Sequence, residues 1–471
     1  MKKIILSALL VFVVFIAGYT LYGLFKPIPM GLSYEGEMHR VANVEFLYDL
    51  TFEQDNEIVQ ERQIVERVKN MIKEAEDFIV FDMFLFNDKY DEDKNYPEIT
   101  DEITKALLEK KDQAPNIEIT FITDEINTSY RSHPSKHLKT LEENGVDVII
   151  TNLTPLRDSN PIYSGFWRAF LKTFEREGEG WITNPFSEDA PKVTLGSYLK
   201  MLNLKGNHRK VIGTDKEVMV TSANLHDASG FHSNIAFVVS GNIINDFLAS
   251  EQAVANFSSS KQLPSYDDLE VETGEIRVQL LTEGQTKEHL IEEINHTNHG
   301  DVIHVGMFNL SESKVVSSLI SAANRGVQVN LILDPNEEIF GNENIGIPNR
   351  PVAADIEEYG NGNIQIRWYN THDEQYHSKL ILIERQESST IIGGSANFTR
   401  RNLDDFNLDT SLRIVAPKDS EIITVVSNYF TTLWNNENGT FTVHSNEYLE
   451  DFPYYKRLLF RIQKKTGLTT F

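Results

Sequence analysis

Two stretches of the chain repeat the same order of apolar and polar positions. A helical pattern from Ile64 to Ala75 leads into the apolar run FIVFDMFLF, and the pattern from His289 to Thr297 leads into DVIHVGMFNL. Met83-Phe84 and Met307-Phe308 occupy corresponding places in the two runs. Further helix and strand patterns follow in each stretch, as in KALLEKK with IEITFITDE and in SLISAANRGVQVNLILD. This alternation predicts an α/β fold of two similar halves in a pseudo-twofold arrangement, with mixed sheets flanked by helices and one shared cleft.

Composition along the chain predicts where the parts begin and end. A polar stretch that contains Pro264 separates the two halves, and a chain of 471 residues should hold more than one core. We predict an N-terminal membrane anchor at 1–30, a first half at 31–260 with an insertion at about 153–205, a linker at 261–275, a second half at 276–445 and a basic tail at 446–471.

The N-terminal segment predicts one transmembrane helix. Ile4 to Phe25 is apolar and uncharged, and its 22 residues would span about 33 Å as a helix. No convincing small-x-small cleavage site follows it, so an uncleaved anchor is preferred to a cleaved signal peptide. Lys2 and Lys3 favour a cytoplasmic N-terminus and a catalytic body outside, in a single-pass protein of the cell membrane, although Lys26 opposes this orientation.

The insertion contains an apolar stripe at helical spacing. The stripe consists of Phe166, Trp167, Phe170, Leu171 and Phe174. A helix packed on the body is the preferred interpretation, and a lip that contacts acyl chains or the membrane is the alternative.

The tail from Tyr454 to Phe471 interleaves Lys and Arg with apolar residues and predicts a basic amphipathic helix. Such a helix either lies on an anionic membrane or docks on the acidic body of the protein. The sequence leaves both alternatives open.

Charge and cysteine content restrict the classes of substrate and of catalytic group that fit this chain. The chain has 44 Lys and Arg against 70 Asp and Glu, a net charge of −26, and the loop from Asp91 to Asp93 contributes to it. Such a charge repels polyanions, so no nucleic-acid partner is expected. Cysteine is absent, which excludes disulfides and thiolate chemistry. The irregular spacing of His226, Asp227 and His232 fits no metal-ligand template, and neither a metal nor a cofactor is expected.

One short motif of reactive residues occurs twice. Its copies are His208-x-Lys210 with Ser222-x-Asn224, and His377-x-Lys379 with Ser395-x-Asn397. Side chains two apart on a strand share a face, so each His is expected beside its Lys and each Ser beside its Asn. Two such faces would form a pocket suited to a phosphodiester. One imidazole could attack phosphorus and the other could protonate the leaving oxygen, while the remaining groups hold the phosphate oxygens.

These motifs resemble the His-x-Lys-x4-Asp and Gly-Ser-x-Asn signature of the phospholipase D superfamily, in its single-chain members with two motifs. The first copy continues to Asp215 but has Thr221 where glycine is usual, whereas the second has Gly394 but Glu384 in place of the aspartate. Asp215 and Glu384 lie an odd number of residues from their His, so we expect them to point away from the pocket and to be structural.

The resemblance also implies the division of roles. His208 is expected to be the nucleophile that forms a phosphohistidine, and His377 the acid and then the base. Asp409, in Asn407-x-Asp409, fits a carboxylate that orients the catalytic imidazole, and we expect it to orient His377. The first half has Asn234-x-Ala236 at the corresponding place and lacks this carboxylate.

Together these features predict a membrane-anchored phosphodiesterase or phosphatidyltransferase that acts on phospholipids of a membrane, with water or an alcohol as acceptor. Transphosphatidylation to phosphatidylglycerol would resemble cardiolipin synthesis, although cardiolipin synthases of this superfamily commonly have two N-terminal spans. The alternatives are an anchored or secreted nuclease of the same superfamily and a catalytically silent, lipid-binding scaffold. The sequence does not indicate an oligomeric state.

Overall fold

The computed structural model describes residues 1–91, 94–174, 178–267, 273–339, 342–359, 362–449, 454–467, 469 and 471. Residues 268–272 of the predicted linker and two residues of the acidic loop, Glu92 and Asp93, lie outside the described residues.

Helices cover the sheets and form the N-terminal segment. Short 3-10 or π turns occur at Glu125–Thr128, Trp167–Leu171, Lys172–Phe174 and Asp227–Ser229. The α-helices are α1 Lys2–Phe25, α2 Ile64–Glu74, α3 Ile99–Gln113, α4 Lys136–Glu143, α5 Pro161–Phe166, α6 Leu195–Met201, α7 Ile243–Ser258, α8 Glu283–Asn295, α9 Ser313–Asn324, α10 Asn349–Tyr359, α11 Arg400–Leu403, α12 Glu421–Asn435, α13 Asn446–Leu449 and α14 Tyr454–Thr466.

The strands carry the apolar runs. They are β1 His39–Val41, β2 Glu45–Gln54, β3 Glu57–Glu61, β4 Phe78–Met83, β5 Glu118–Thr123, β6 Asp147–Ile150, β7 Lys210–Thr214, β8 Glu217–Thr221, β9 Asn234–Ser240, β10 Ile276–Thr282, β11 Val302–Met307, β12 Gln328–Leu333, β13 Glu338–Ile339, β14 Asn342–Glu343, β15 Ile364–Tyr369, β16 Lys379–Glu384, β17 Ser388–Gly394, β18 Thr410–Pro417 and β19 Thr442–His444.

Two large sheets share one topology. Within the described residues, the first has the order β3-β2-β9-β8-β7-β4-β5-β6 and the second β1-β10-β18-β17-β16-β11-β12-β15-β19. The strands β4, β5 and β6 run parallel, as do β11, β12 and β15, whereas the motif hairpins β7-β8 and β16-β17 are antiparallel. The predicted fold class, two similar α/β halves with mixed sheets, is confirmed. The exact domain limits stay a prediction.

The two sheets pack face to face. One apolar core contains Val220 and Phe237 of the first sheet together with Ile391 and Leu412 of the second. Gly393 allows this close approach, because a Cβ at that position would lie 2.8 Å from the Phe237 ring. Isolated bridges join Asn207 to Leu408 and Ser233 to Tyr376, so the residues just before β7 and β16 lie where the two halves meet.

Helix α1 is long and apolar enough to cross a membrane, and it fits a single-pass membrane protein. Its C-terminal part docks on the insertion: the Asp158 amide donates to the Gly23 carbonyl oxygen at 2.9 Å. A Cβ at Gly23 would lie 1.8 Å from Asp158 Oδ2, so glycine is needed for this contact. The end of the helix is therefore held by the body.

The apolar stripe of the insertion packs mainly against α1. It forms one contiguous helical segment that changes from α-helix to π-helix and then to 3-10 helix, and the Phe170 ring lies 5.6 Å from Phe12 and 6.2 Å from Phe15. Trp167 is buried, whereas Phe166 and Phe174 are exposed. The structure thus combines parts of both interpretations of the stripe, because the stripe is packed but leaves apolar rings beside the apolar helix.

The basic tail forms helix α14, which docks on the second half. Phe460 is buried in the second apolar core and contacts Phe471, with ring centroids 5.6 Å apart. Leu458 and Ile462 remain exposed. Docking on the body is therefore the arrangement in this structure.

Candidate active site

Both motif histidines immediately precede a central strand of their sheet. Lys210 opens β7 and Lys379 opens β16, and both lysines are buried. Each ammonium folds back onto the carbonyl oxygen of its histidine, at 2.9 Å for Lys210 and 2.7 Å for Lys379. The two motifs thus have the same local geometry.

Backbone hydrogen bonds between the halves place each histidine beside a loop of the other half. The His208 amide donates to the Leu408 carbonyl oxygen at 2.8 Å, and the Ser233 amide donates to the Gln375 carbonyl oxygen at 2.9 Å. These bonds belong to corresponding bridges that join Asn207 to Leu408 and Ser233 to Tyr376. The residue after each bridge on the partner loop is therefore the neighbour of the histidine.

For His208 that neighbour is Asp409. The His208 Nδ1 atom lies 2.7 Å from Asp409 Oδ1, and because a carboxylate only accepts, the imidazole donates. Asp409 also accepts from the Ser395 hydroxyl at 2.9 Å and from the Asn402 amide at 2.8 Å. Our expectation that Asp409 orients His377 is therefore wrong: the carboxylate follows the motif of the second half but reaches across the cleft to His208.

For His377 the neighbour is Asn234. The His377 Nδ1 atom lies 3.0 Å from Asn234 Oδ1, which also accepts from the Ser222 hydroxyl at 3.0 Å. The Asn234 Nδ2 atom donates to the His232 carbonyl oxygen at 3.0 Å, which fixes the orientation of the amide. Two equivalent histidine contacts thus differ by one charge, with a carboxylate at His208 and a neutral amide at His377.

The serines and asparagines of the motifs differ in their hydrogen-bond partners. Each serine hydroxyl donates to the residue that holds a histidine, so it orients the site and is not directed at a phosphate oxygen. The side-chain oxygens of Asn224 and Asn397 are buried and have no hydrogen-bond partner among the described residues. These oxygens are free to accept a hydrogen bond from a ligand, but they cannot donate one to a phosphate oxygen.

Burial and mutual repulsion keep the basic groups of the cleft largely uncharged. Burial lowers the pKa of His208 to about 4, with Lys210 adding to the effect and Asp409 opposing it. The pKa of His377 is also far below its usual value, because of burial, then Lys379, Lys210 and His208. Burial lowers the pKa of Lys210 to about 7. The bridges between the halves place both motifs at one cleft, where each motif lysine lowers the pKa of the histidine of the other motif.

In the resting site, His208 is thus a neutral imidazole whose Nδ1–H is held by a carboxylate. Its other ring nitrogen, Nε2, carries the lone pair. This is the tautomer that a nitrogen nucleophile needs.

Paired aromatic residues line the cleft beside the histidines. The Phe84 ring lies 4.9 Å from the His208 ring, and the Phe308 ring lies 5.1 Å from the His377 ring. Each ring also contacts the ammonium of its motif lysine, at 4.9 and 5.0 Å. Sequence reasoning matched these two residues as counterparts but did not assign them to the site.

Two buried aspartates were missed altogether. Asp124 Oδ2 accepts from the Asn207 amide at 2.6 Å, and Asp334 Oδ2 accepts from the Tyr376 amide at 2.7 Å. Each therefore fixes the backbone just before a motif histidine. Burial raises the pKa of Asp124 to about 7 and that of Asp334 to about 8. The sequence did contain a signal for them, because each aspartate directly follows the corresponding strand of its half, β5 or β12.

The two acidic motif residues lie at the far end of the motif strands. Asp215 Oδ1 accepts from the backbone amides of Glu76 and Asp77 at 2.9 and 3.1 Å, and Glu384 Oε2 lies 3.4 Å from His304 Nε2. Neither contacts the histidines of the cleft through these bonds. A structural role for both stays our interpretation.

Among the described residues, no group of three or more His, Asp or Glu side chains could hold a metal ion. His226 is instead hydrogen bonded to the Ser229 hydroxyl at 3.0 Å.

The fold and the cleft define a two-half α/β protein with a duplicated histidine–lysine site. Residues 290–434 match the family model described as "Cardiolipin synthase, PLD-like domain". The matched residues lie within the second half, and the predicted resemblance of the chain to the phospholipase D superfamily is confirmed. A comparison with curated proteins gives no match.

Several solved structures are similar to this chain. The phosphatidylserine synthase of Haemophilus influenzae Rd KW20 is similar with a TM-score of 0.55 and 11% identity, over 91% of this chain and 95% of that one. Polyphosphate kinase from Porphyromonas gingivalis matches with a TM-score of 0.47 and 11% identity, over 91% and 56% of the two chains. Nuc, a phospholipase D family member from Salmonella typhimurium, matches with a TM-score of 0.28 and 19% identity, over 36% and 98%. The first of these similarities supports the fold.

Proposed function

We propose that this protein is a membrane-anchored phosphodiesterase or phosphatidyltransferase that acts on phospholipids through a phosphohistidine intermediate at His208. The observation that carries the proposal is the 2.7 Å hydrogen bond from His208 Nδ1 to Asp409. This bond holds the nucleophilic tautomer and stabilises the positive charge that the ring acquires when Nε2 bonds to phosphorus.

The reaction has two steps. The lone pair of His208 Nε2 attacks phosphorus, the bond from phosphorus to the leaving oxygen breaks, and that oxygen takes a proton from His377. Water or an alcohol then gives a proton to His377 and attacks phosphorus, which releases His208. A bound anionic diester raises the pKa of His377, so the acid becomes charged when substrate is present.

The lipid substrate class is supported by three features. Helix α1 fits a membrane span, the matching family model is described as cardiolipin synthase-like, and the net charge of −26 opposes a nucleic-acid substrate. Lys2 and Lys3 favour a cytoplasmic N-terminus with the catalytic body outside. With phosphatidylglycerol as the acceptor alcohol, the second step would yield cardiolipin.

The test uses full-length protein in mixed micelles with phosphatidylglycerol, with and without ethanol. Without ethanol we expect phosphatidic acid when water is the acceptor and cardiolipin when a second phosphatidylglycerol is the acceptor. With ethanol we expect phosphatidylethanol. His208→Ala and His377→Ala should lower the rate by about 10²–10⁴-fold, whereas His296→Ala, at an exposed histidine, serves as the matched control. Activity that survives both cleft substitutions would refute the mechanism, and cleavage of single-stranded DNA in place of lipid would indicate a nuclease.

A further inference from the structure

A second cavity lies where helix α1 ends. Its volume is about 230 Å³, and none of the motif residues is among its described lining residues. Basic side chains and two aromatic rings of the membrane-proximal region, Tyr22 and Trp167, form much of its wall. The basic residues are Lys26, Arg168, Lys172, Lys200 and Lys205.

These cations outnumber the carboxylates that pair with them. Asp158 pairs with both Arg168 and Lys205, at 2.6 and 2.8 Å. Glu125 pairs with Lys200 at 2.6 Å. Two carboxylates therefore serve three of the five basic side chains, in a protein whose overall charge is −26.

Lys26 is the cation that this arrangement leaves least compensated. It is only 8% exposed, and within the described part of the chain it forms no ion pair with a carboxylate. Its ammonium donates to the neutral carbonyl oxygen of Thr154 at 2.7 Å. Burial and the neighbouring Lys205 lower the pKa of Lys26 to about 7, so an anion beside it would restore its charge.

The cavity wall also contains an unused hydrogen-bond donor. Trp167 is 7% exposed, and its indole N–H has no partner among the described residues. A buried donor without a partner is unfavourable, and an anionic oxygen in the cavity would satisfy it. The Arg168 guanidinium lies over the Tyr22 ring at 5.6 Å, which holds it at the end of the membrane helix.

An apolar path starts next to this cavity. The Phe170 ring contacts the rings of Phe12 and Phe15 on α1, and the side chains of Phe12 and Phe15 are still about half exposed. Cations and aromatic N–H groups at the level of the headgroups, with apolar rings beyond them, are the arrangement found where proteins meet the membrane interface.

We propose that this cavity binds the phosphate group of an anionic phospholipid whose acyl chains lie along α1 beside Phe170. The site contains no histidine among its described residues and holds the lipid without reacting with it. Because Lys205 lies three positions before His208, the bound lipid would also fix the cleft relative to the membrane surface.

The test measures lipid retention by native mass spectrometry of the full-length protein, released from neutral micelles that contain phosphatidylglycerol or phosphatidylcholine. All proteins carry Lys210→Gln and Lys379→Gln, which remove the cations of the catalytic cleft, so that retention reports on the second cavity alone. In this background we expect one retained phosphatidylglycerol, and adding Lys26→Gln with Lys172→Gln should lower its retention by about tenfold or more. Adding Lys139→Gln with Lys216→Gln removes the same charge from exposed sites and should change nothing.

Trp167→Phe keeps an aromatic side chain but removes the indole N–H and some buried ring volume, so thermal unfolding is measured alongside; retention should weaken in protein that is still folded at the temperature of the assay. Equal retention in the cavity and control variants would overturn the proposal, as would equal retention of phosphatidylcholine. Displacement of the lipid by millimolar inorganic phosphate would overturn the claim that the cavity binds a whole phospholipid and not phosphate alone. If the protein with its motif lysines intact fails to turn over phosphatidylglycerol, while the Lys210→Gln, Lys379→Gln protein still retains the lipid, the result would count against the proposed function alone.

Discussion

Replacing Asp409 by asparagine should slow formation of the phosphohistidine while leaving the fold intact. The amide still accepts from His208 Nδ1, as Asn234 does from His377 at 3.0 Å. The charge of Asp409 is lost, however, and with it the stabilisation of the cationic ring in the intermediate. Because Asp409 also accepts from Asn402 at 2.8 Å, the Asn402 amide must rotate to offer its oxygen to the new N–H.

The size of the effect follows from the bond that changes. A hydrogen bond to a charged group contributes about 1.5–3 kcal/mol, against about 1 for a neutral pair. If most of this difference is realised in the transition state, the first step slows by about 3- to 30-fold, since about 1.36 kcal/mol corresponds to a factor of ten. Asp409→Ala should cost more, because it also leaves Ser395 and Asn402 without their acceptor.

The assay is single-turnover formation of the covalent intermediate from a phospholipid labelled in its diacylglycerol part, followed by alkaline quenching and mapping of the modified histidine. Asn234→Asp is the reverse control: a carboxylate beside His377 should raise the pKa of that acid and move the alkaline limb of the pH profile of the first step upward. An unchanged first step in Asp409→Asn, or label on His377 in the wild type, would refute the assignment of roles.

Three further outcomes are expected. The pKa of Lys210 is lowered to about 7, so its positive charge is lost as pH rises through this value and kcat/KM should fall on the alkaline side. In a pH-rate profile, Lys210→Arg should move this fall to higher pH. Arg209 contacts the buried Glu251 and Glu283 at 2.8 and 2.7 Å. Arg209→Met leaves both carboxylates without their cation, so it should destabilise the protein by about 3–5 kcal/mol in thermal or urea unfolding. An unchanged unfolding midpoint would contradict this. His377→Ala should still release p-nitrophenol in a burst from a p-nitrophenyl phosphodiester, since this leaving group needs no acid, and should then stall as the intermediate accumulates; a steady rate without a burst would argue against His377 as the base of the second step.

Local patterns were sufficient to predict the motif strands and the repeated halves. The alternation of helix and strand patterns around β4 and β11 predicted the two sheets. The spacing of His208 and Lys210 predicted that both lie at the start of a strand, and Lys210 is the first residue of β7. Asn234 was also noticed as the place where the first half lacks a carboxylate. These features depend on residues close together in sequence, which periodicity can report.

The pairing across the cleft was not predictable in the same way. Asp409 lies closer in sequence to His377 than to His208, and only the bridge between Asn207 and Leu408 determines which histidine it reaches. Asp124 was missed for a related reason, because its partner is a backbone amide of Asn207, 83 positions away. Backbone groups leave no trace in the pattern of side chains.

The place of β1 has a practical consequence for dissecting the protein. His39 to Val41 pair with β10 of the second sheet, and His39 is also bonded to Asp246 at 2.8 Å. A fragment that starts at residue 276 would therefore expose a bare edge of β10, which invites aggregation. Splitting the gene between the halves would succeed only if the N-terminal piece, or a peptide that includes residues 33–41, is supplied in trans to cap that edge.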